Sequence, residues 1–215
     1  MTVKLLTPRN GRFYTFGKGG RGMKKIIAAF VMMVLLLATV NCASWSKTAQ
    51  GAVIGGAAGA IIGSYMDKQA AEIRRDLEGA DVQRIGEGIK ITFDSGLLFD
   101  IDKSDLRPVS RTNLADLAKI LNKYADTNIL IEGHTDDTGS DDHNLTLSKN
   151  RAESVAYCLA TLEVASARFS KAGYGEAQPI VTNDTAENRQ KNRRVDIAIM
   201  ANEKLKKAAQ DKTKG

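Results

Sequence analysis

One carboxylate and one guanidinium are set around a single junction in the segment Glu132-Gly133-His134-Thr135-Asp136, which continues into Asn144-Leu145-Thr146-Leu147-Ser148-Lys149-Asn150-Arg151-Ala152. The apolar run Ile129-Leu130-Ile131 ahead of it reads as a buried strand, the acidic, glycine-containing stretch as a loop, and the apolar positions that follow as a helix. Asp136 at the strand end and Arg151 one to two turns inside the helix can hold an anion and a cation close together. The chemistry of such a pair is non-covalent binding of a small zwitterion through charge-assisted hydrogen bonds. On spacing alone the same two residues can equally form a structural ion pair.

The string E-G-H-T-D, then a glycine, then N-x-x-L-S-x-x-R-A, resembles the signature of OmpA-like peptidoglycan-binding domains. Gly173-Tyr174-Gly175-Glu176, Pro179, Asn183 and Asn192-Arg193-Arg194-Val195 follow in that family's order, so the resemblance spans about residues 89–200. It implies a ligand, the diaminopimelate of the peptidoglycan stem peptide, whose side chain ends in an ammonium and a carboxylate on one carbon. By the resemblance Asp136 accepts the ammonium and Arg151 grips the carboxylate. Asn144, the Thr135 backbone and Arg193 complete the pocket, and Asp102 in the first strand-helix loop reaches the stem's peptide groups. Asn144 could also cap its helix, and Arg193 and Arg194 should point to opposite faces of a strand.

Other chemistries fit less well. His134, Asp136, Asp137, Asp141, Asp142 and His143 crowd one segment, but their spacing matches neither an EF-hand loop nor a helical His pair, so no metal is expected. A hydrolase would need a nucleophile with its base or a carboxylate pair of divided pKa; no G-x-S-x-G motif occurs, and no enzyme activity or cofactor is expected.

The chain has 215 residues and a net charge of +6, but the charge is not spread over it. Lys4, Arg9, Arg12, Lys18, Arg21, Lys24 and Lys25 all precede residue 26 with no acid among them, so the remainder is close to neutral and a nucleic-acid partner is not expected. Met23-Lys24-Lys25 and the apolar run Ile26–Val40 read as a secretory signal over 23–41, with residues 1–22 an extension ahead of the true start. Cys42 stands where a lipoprotein signal places its lipidated cysteine, although Thr39-Val40-Asn41 departs from the usual flanking pattern; a plain signal peptide or an uncleaved anchor is the alternative. Cys158, the other cysteine, falls in an apolar helical stretch and reads as a small buried hydrophobe.

After a linker over 42–50, Gly51, Gly55, Gly59 and Gly63 recur on one helical face. The 51–66 segment reads as a glycine zipper that inserts in a membrane or self-associates, or else as a flexible spacer. Residues 67–88 read as a charged helical stalk with a narrow stripe of Ala70, Ile73 and Leu77. The domain itself, 89–200, is expected to be α+β, with order β-α-β-α-β-loop-β and two helices on one face of a mixed sheet; the Lys-rich tail 201–215 is expected to fray. The whole describes an outer-membrane lipid anchor joined to a periplasmic peptidoglycan-binding domain, with other envelope proteins or a second copy as possible zipper partners. The rival readings are an envelope-assembly scaffold acting through the zipper and a stator- or transport-linked member of the same superfamily.

Overall fold

A computed structural model describes residues 54–214, so the signal, Cys42 and the first zipper glycine lie outside the described residues. Helix α1 (Gly56–Asp76) leads into the hairpin β1 (Ala80–Ile85) and β2 (Gly88–Asp94). Gly86, at φ +57, opens the two-residue turn between them, a position that selects glycine. A short helix α2 (Ser95–Leu98), helix α3 (Pro108–Lys123), strand β3 (Thr127–Gly133) and helix α4 (Asp141–Thr161) follow. Strand β4 (Phe169–Gly173), helix α5 (Ala186–Asn192), strand β5 (Arg194–Ala201) and helix α6 (Glu203–Asp211) complete the chain. Among the described residues no helix is long and apolar enough to cross a membrane.

The sheet runs β1-β2-β5-β3-β4, with β5 central and antiparallel to both neighbours and β3 parallel to β4. Alternation puts Ile89, Ile91 and Phe93 of β2, Ile129 and Ile131 of β3, and Val195, Ile197 and Ile199 of β5 on one face. Leu114, Leu117 and Leu121 of α3 and Ala152, Val155 and Leu159 of α4 close over that face, as the helical spacing required. Pro108 sits in the first turn of α3, where its missing N–H costs nothing. The far end of that helix is capped from outside: the Arg168 guanidinium donates to the Leu121 and Tyr124 carbonyls.

The mixed α+β fold stands, but its limits are wider than 89–200. Residues 67–88 are no stalk. The glycine-rich and charged stretches form one unbroken helix, and Ala58, Ile62, Met66, Ala70 and Ile73 of α1 join the main core, with Leu77 just beyond it. The buried stripe lies one residue away from the glycine stripe, so the helix docks by its large residues; an added Cβ at Gly63 would meet nothing within 4 Å. Strand β1 adds a fifth strand at the sheet edge, where half of its residues are polar and none is fully buried. The tail is also not frayed: Asn202 caps α6 by accepting from the Leu205 N–H, and Leu205 and Ala209 are buried.

Because α1 docks through its large side chains, Ile73→Ala in the 54–214 protein should cost about 2–5 kcal/mol of unfolding free energy. Gly63→Ala should change it by no more than about 1 kcal/mol, in the stabilising direction. Urea denaturation followed by circular dichroism measures both.

Candidate functional site

The approach of α4 to the sheet sets the site. A Cβ at Gly133 would lie 2.1 Å from the Ser148 carbonyl oxygen, and one at Gly173 would lie 2.3 Å from the Lys149 nitrogen, so only glycine lets the helix backbone rest on the ends of β3 and β4. Ser148 locks the contact by accepting from the Gly175 N–H at 2.9 Å. Helix α4 starts at Asp141, four residues before Leu145, the first apolar position after the loop. Ser140 is the N-cap, accepting from the His143 N–H, and Asp141 and Asp142 occupy the positive end of the helix dipole.

The result is a cleft of about 510 Å³. It is lined by all six residues singled out in the sequence: Asp102, Thr135, Asp136, Asn144, Arg151 and Arg193. Asp136 is 4% exposed and Arg151 3% exposed, yet the two are not an ion pair with each other. Asp136 accepts from the Thr138 N–H through Oδ1 and from Arg193 Nη1 through Oδ2. Arg151 touches neutral groups instead: Nε donates to the Lys103 carbonyl at 3.0 Å, Nη1 donates to Ser95 Oγ at 3.3 Å, and the guanidinium lies 5.2 Å from the Phe99 ring centroid. Burial pushes the Arg151 guanidinium below its ordinary pKa and Arg193 acts in the same sense, while Asp102 and Asp136 oppose.

Asn144 is not the helix cap. It lies inside the first turn of α4, where its amide donates to the Asp136 carbonyl at 3.2 Å and to Glu176 Oε2 at 2.7 Å, tying both loops to the helix. The Thr135 N–H is already taken by the Gly175 carbonyl, whereas its buried hydroxyl has no hydrogen-bond partner among the described residues. Asp102 sits at φ +56, in a loop closed by the Phe99–Leu106 bridge, and its carboxylate meets His143 Nε2 at 2.6 Å. Arg193, just after α5, faces the cleft. Arg194 turns to the other side of the sheet and is buried on Asp196, so the alternation expected of these two holds. Ser95, Phe99, His143 and Gln190 also line the cleft and were not in the expected set of ligand contacts. No sequence spacing links Ser95 or Phe99 to Arg151; only the fold brings them together.

The two histidines go different ways. His143 is at the cleft rim, while His134 is buried, stacked on Tyr174 at 5.4 Å and 3.8 Å from Asp196. Asp196 is the hub of a polar cluster on the outer sheet face, accepting from Thr92 Oγ1 at 2.6 Å and paired with Lys90 and Arg194 at 3.0 Å each. Its burial works to raise its pKa, but Arg194, Lys90 and the Thr92 bond outweigh that and lower it. Burial, with Arg194 and Lys90, drives His134 down to about 3. Among the described residues no group of three or more His, Cys, Asp or Glu side chains converges as metal ligands would.

The sequence model of the OmpA family matches residues 98–193, which contain all six residues singled out in the sequence, Arg193 at the last position, and that of a YMGG-like Gly-zipper matches 23–82. The Probable lipoprotein YiaD of Escherichia coli is 38% identical over 143 residues, 66% of this chain and 65% of that protein. The Peptidoglycan-associated lipoprotein of Mesorhizobium japonicum is 30% identical over 164 residues, 76% of this chain and 86% of that one. The chain spans only 32% and 34% of two longer porin relatives. Among solved structures, the periplasmic domain of Helicobacter pylori MotB is similar with a TM-score of 0.54 and 31% identity, covering 65% of this chain and 90% of that one.

The buried histidine gives the fold a pH dependence. The folded protein keeps His134 neutral down to about 3, while the unfolded chain takes up the proton near 6.5. Between those values the unfolded state therefore binds more protons, and stability falls with falling pH by up to about 1.4 kcal/mol per unit. The Asp196 carboxylate contributes in the same direction only below its ordinary value of 3.8. Urea midpoints compared between about pH 7 and 4.5 should drop for the wild type and drop less for His134→Gln.

Proposed function

Because the chain belongs to the OmpA family, we propose that the cleft binds peptidoglycan non-covalently through the diaminopimelate side chain of the stem peptide. The observation that carries this reading is the pair Asp136 and Arg151: two buried opposite charges in one cleft that do not neutralise each other. Burying a guanidinium on neutral partners is costly unless an anion arrives to meet it. A ligand with an ammonium and a carboxylate on one carbon supplies both counter-charges at once: the ammonium goes to Asp136 and the carboxylate to Arg151. The unpartnered Thr135 hydroxyl offers a further hydrogen bond, and Asp102 stands at the wall where the rest of the stem peptide would run. The family's relatives are envelope structural proteins, and the chain is not an enzyme.

The protein acts in this reading as a tether. Cys42 carries lipid in the outer membrane, the folded part stands in the periplasm, and the cleft holds the wall. A single weak site suffices, because an anchored domain meets many stem peptides at high effective concentration. Mass spectrometry of the membrane-extracted protein addresses the anchor: lipid on an N-terminal Cys42 is expected, and an unmodified N-terminus elsewhere contradicts it.

Asp136→Ala and Arg151→Ala should each leave the melting transition cooperative and remove sacculus pull-down by the detergent-solubilised chain. Loss of one partner in a desolvated charge contact costs about 2–5 kcal/mol, at least tenfold in affinity. The double variant should lose less than the sum of the two, since both residues serve one ligand group. Normal pull-down by both folded variants would make the two charges structural.

A further inference from the structure

In the cleft as it stands, Asp136 already has a cation. Arg193 reaches in from the rim, with its side chain 34% exposed, and Nη1 donates to Asp136 Oδ2 at the floor. Its second terminal nitrogen, Nη2, donates to Gln190 Oε1, and Gln190 Nε2 in turn donates to Asp94 Oδ1. The guanidinium thus occupies the oxygen that an incoming ammonium would need. We propose that Arg193 is a specificity-determining residue: it is an internal substitute for the ligand's ammonium, displaced only by a ligand that brings a carboxylate of its own. This rests on the diaminopimelate reading above.

Charge balance in the cleft sets the discrimination. A zwitterion that takes Asp136 releases Arg193, but its carboxylate then stands beside both Arg193 and Arg151, so neither guanidinium is left without an anion. A ligand carrying the ammonium alone releases Arg193 with nothing to receive it. The nearby acids are engaged elsewhere: Asp100 faces Arg107 at 3.5 Å, Asp102 is on His143, and Asp94 is on Gln190. Glu176 is held by Asn144. Two guanidiniums, Arg151 and Arg193, would then share a partly desolvated cleft without an anion. The cleft therefore discriminates by penalising the wrong ligand as well as by rewarding the right one. The excluded class is a stem peptide whose third residue ends in an amine without a carboxylate, as lysine does, or whose side-chain carboxylate is amidated.

The test titrates the detergent-solubilised full chain with three stem tetrapeptides: diaminopimelate in the third position, the same residue amidated on its side-chain carboxylate, and lysine in its place. The wild type should bind the first at least about tenfold more tightly than the other two. In Arg193→Gln the gap should shrink to roughly threefold or less, with the lysine and amidated peptides binding more tightly than they do to the wild type, since Asp136 has lost its internal competitor. Arg193→Lys, which keeps a competing cation, should preserve the order and decides the matter if Arg193→Gln does not fold. A parallel loss for all three peptides, an unchanged gap in Arg193→Gln, or a collapsed order in Arg193→Lys would overturn the proposal. Failure of the wild type to bind any of the three would instead remove the diaminopimelate reading, and this inference with it.

Discussion

Everything at the cleft depends on how closely one helix backbone rests on the ends of two strands. The helix Asp141–Thr161 can approach the strands because Gly133 and Gly173 have no Cβ to collide with the Ser148 carbonyl and the Lys149 nitrogen. From that contact Asn144, Ser148 and Arg151 take their places, one turn after another along the same helix face. A side chain at either glycine would push the helix outward and open the distance between Arg151 and the loop that carries Asp136. The site thus joins one rigid helix to two loops, the one that carries Thr135 and Asp136 after β3 and the Asp102 loop, which is pinned through the Lys103 carbonyl and His143.

The second constraint is electrostatic. Two opposite charges buried in one cleft would ordinarily collapse onto each other, and here they are kept apart by other partners: Arg193 and the Thr138 N–H hold the carboxylate, while Lys103, Ser95 and Phe99 hold the guanidinium. The domain carries a contrasting arrangement on the outer face of its sheet. There Asp196 gathers Lys90, Arg194 and Thr92 into a closed cluster in which the acid is fully partnered. One buried acid is satisfied within the fold and the other faces a cleft, which separates a structural use of charge from a binding one.

Much of this was legible in the residues. Alternation in Ile89–Phe93 and Val195–Ile199 and the helical spacing of Leu114–Leu121 and Ala152–Leu159 identify elements whose apolar faces meet in one core. All six residues singled out in the sequence line the cleft, but Ser95, Phe99, His143 and Gln190, which line it too, were not among them. What stayed hidden has physical reasons. Strand Ala80–Ile85 pairs on one side only and is half-exposed, so it carries no strong alternation. The last helix buries just Leu205 and Ala209 among lysines. In the first helix the glycine pattern masked a larger stripe one residue away, Ala58-Ile62-Met66-Ile73, which packs on the domain. The internal ion pair of Arg193 with Asp136 could not be read at all, because it joins residues far apart in the chain that only the loop geometry makes neighbours.

The central claim is that Asp136 and Arg151 each receive one charge of a single zwitterionic group, and a crystal structure of the protein with a diaminopimelate stem tetrapeptide tests it most directly. The account predicts the side-chain ammonium within hydrogen-bond distance of the Asp136 carboxylate and the side-chain carboxylate on the Arg151 guanidinium, about 2.7–2.9 Å in each case. A peptide bound with its zwitterion outside the cleft, or with its carboxylate turned away from Arg151, would contradict it.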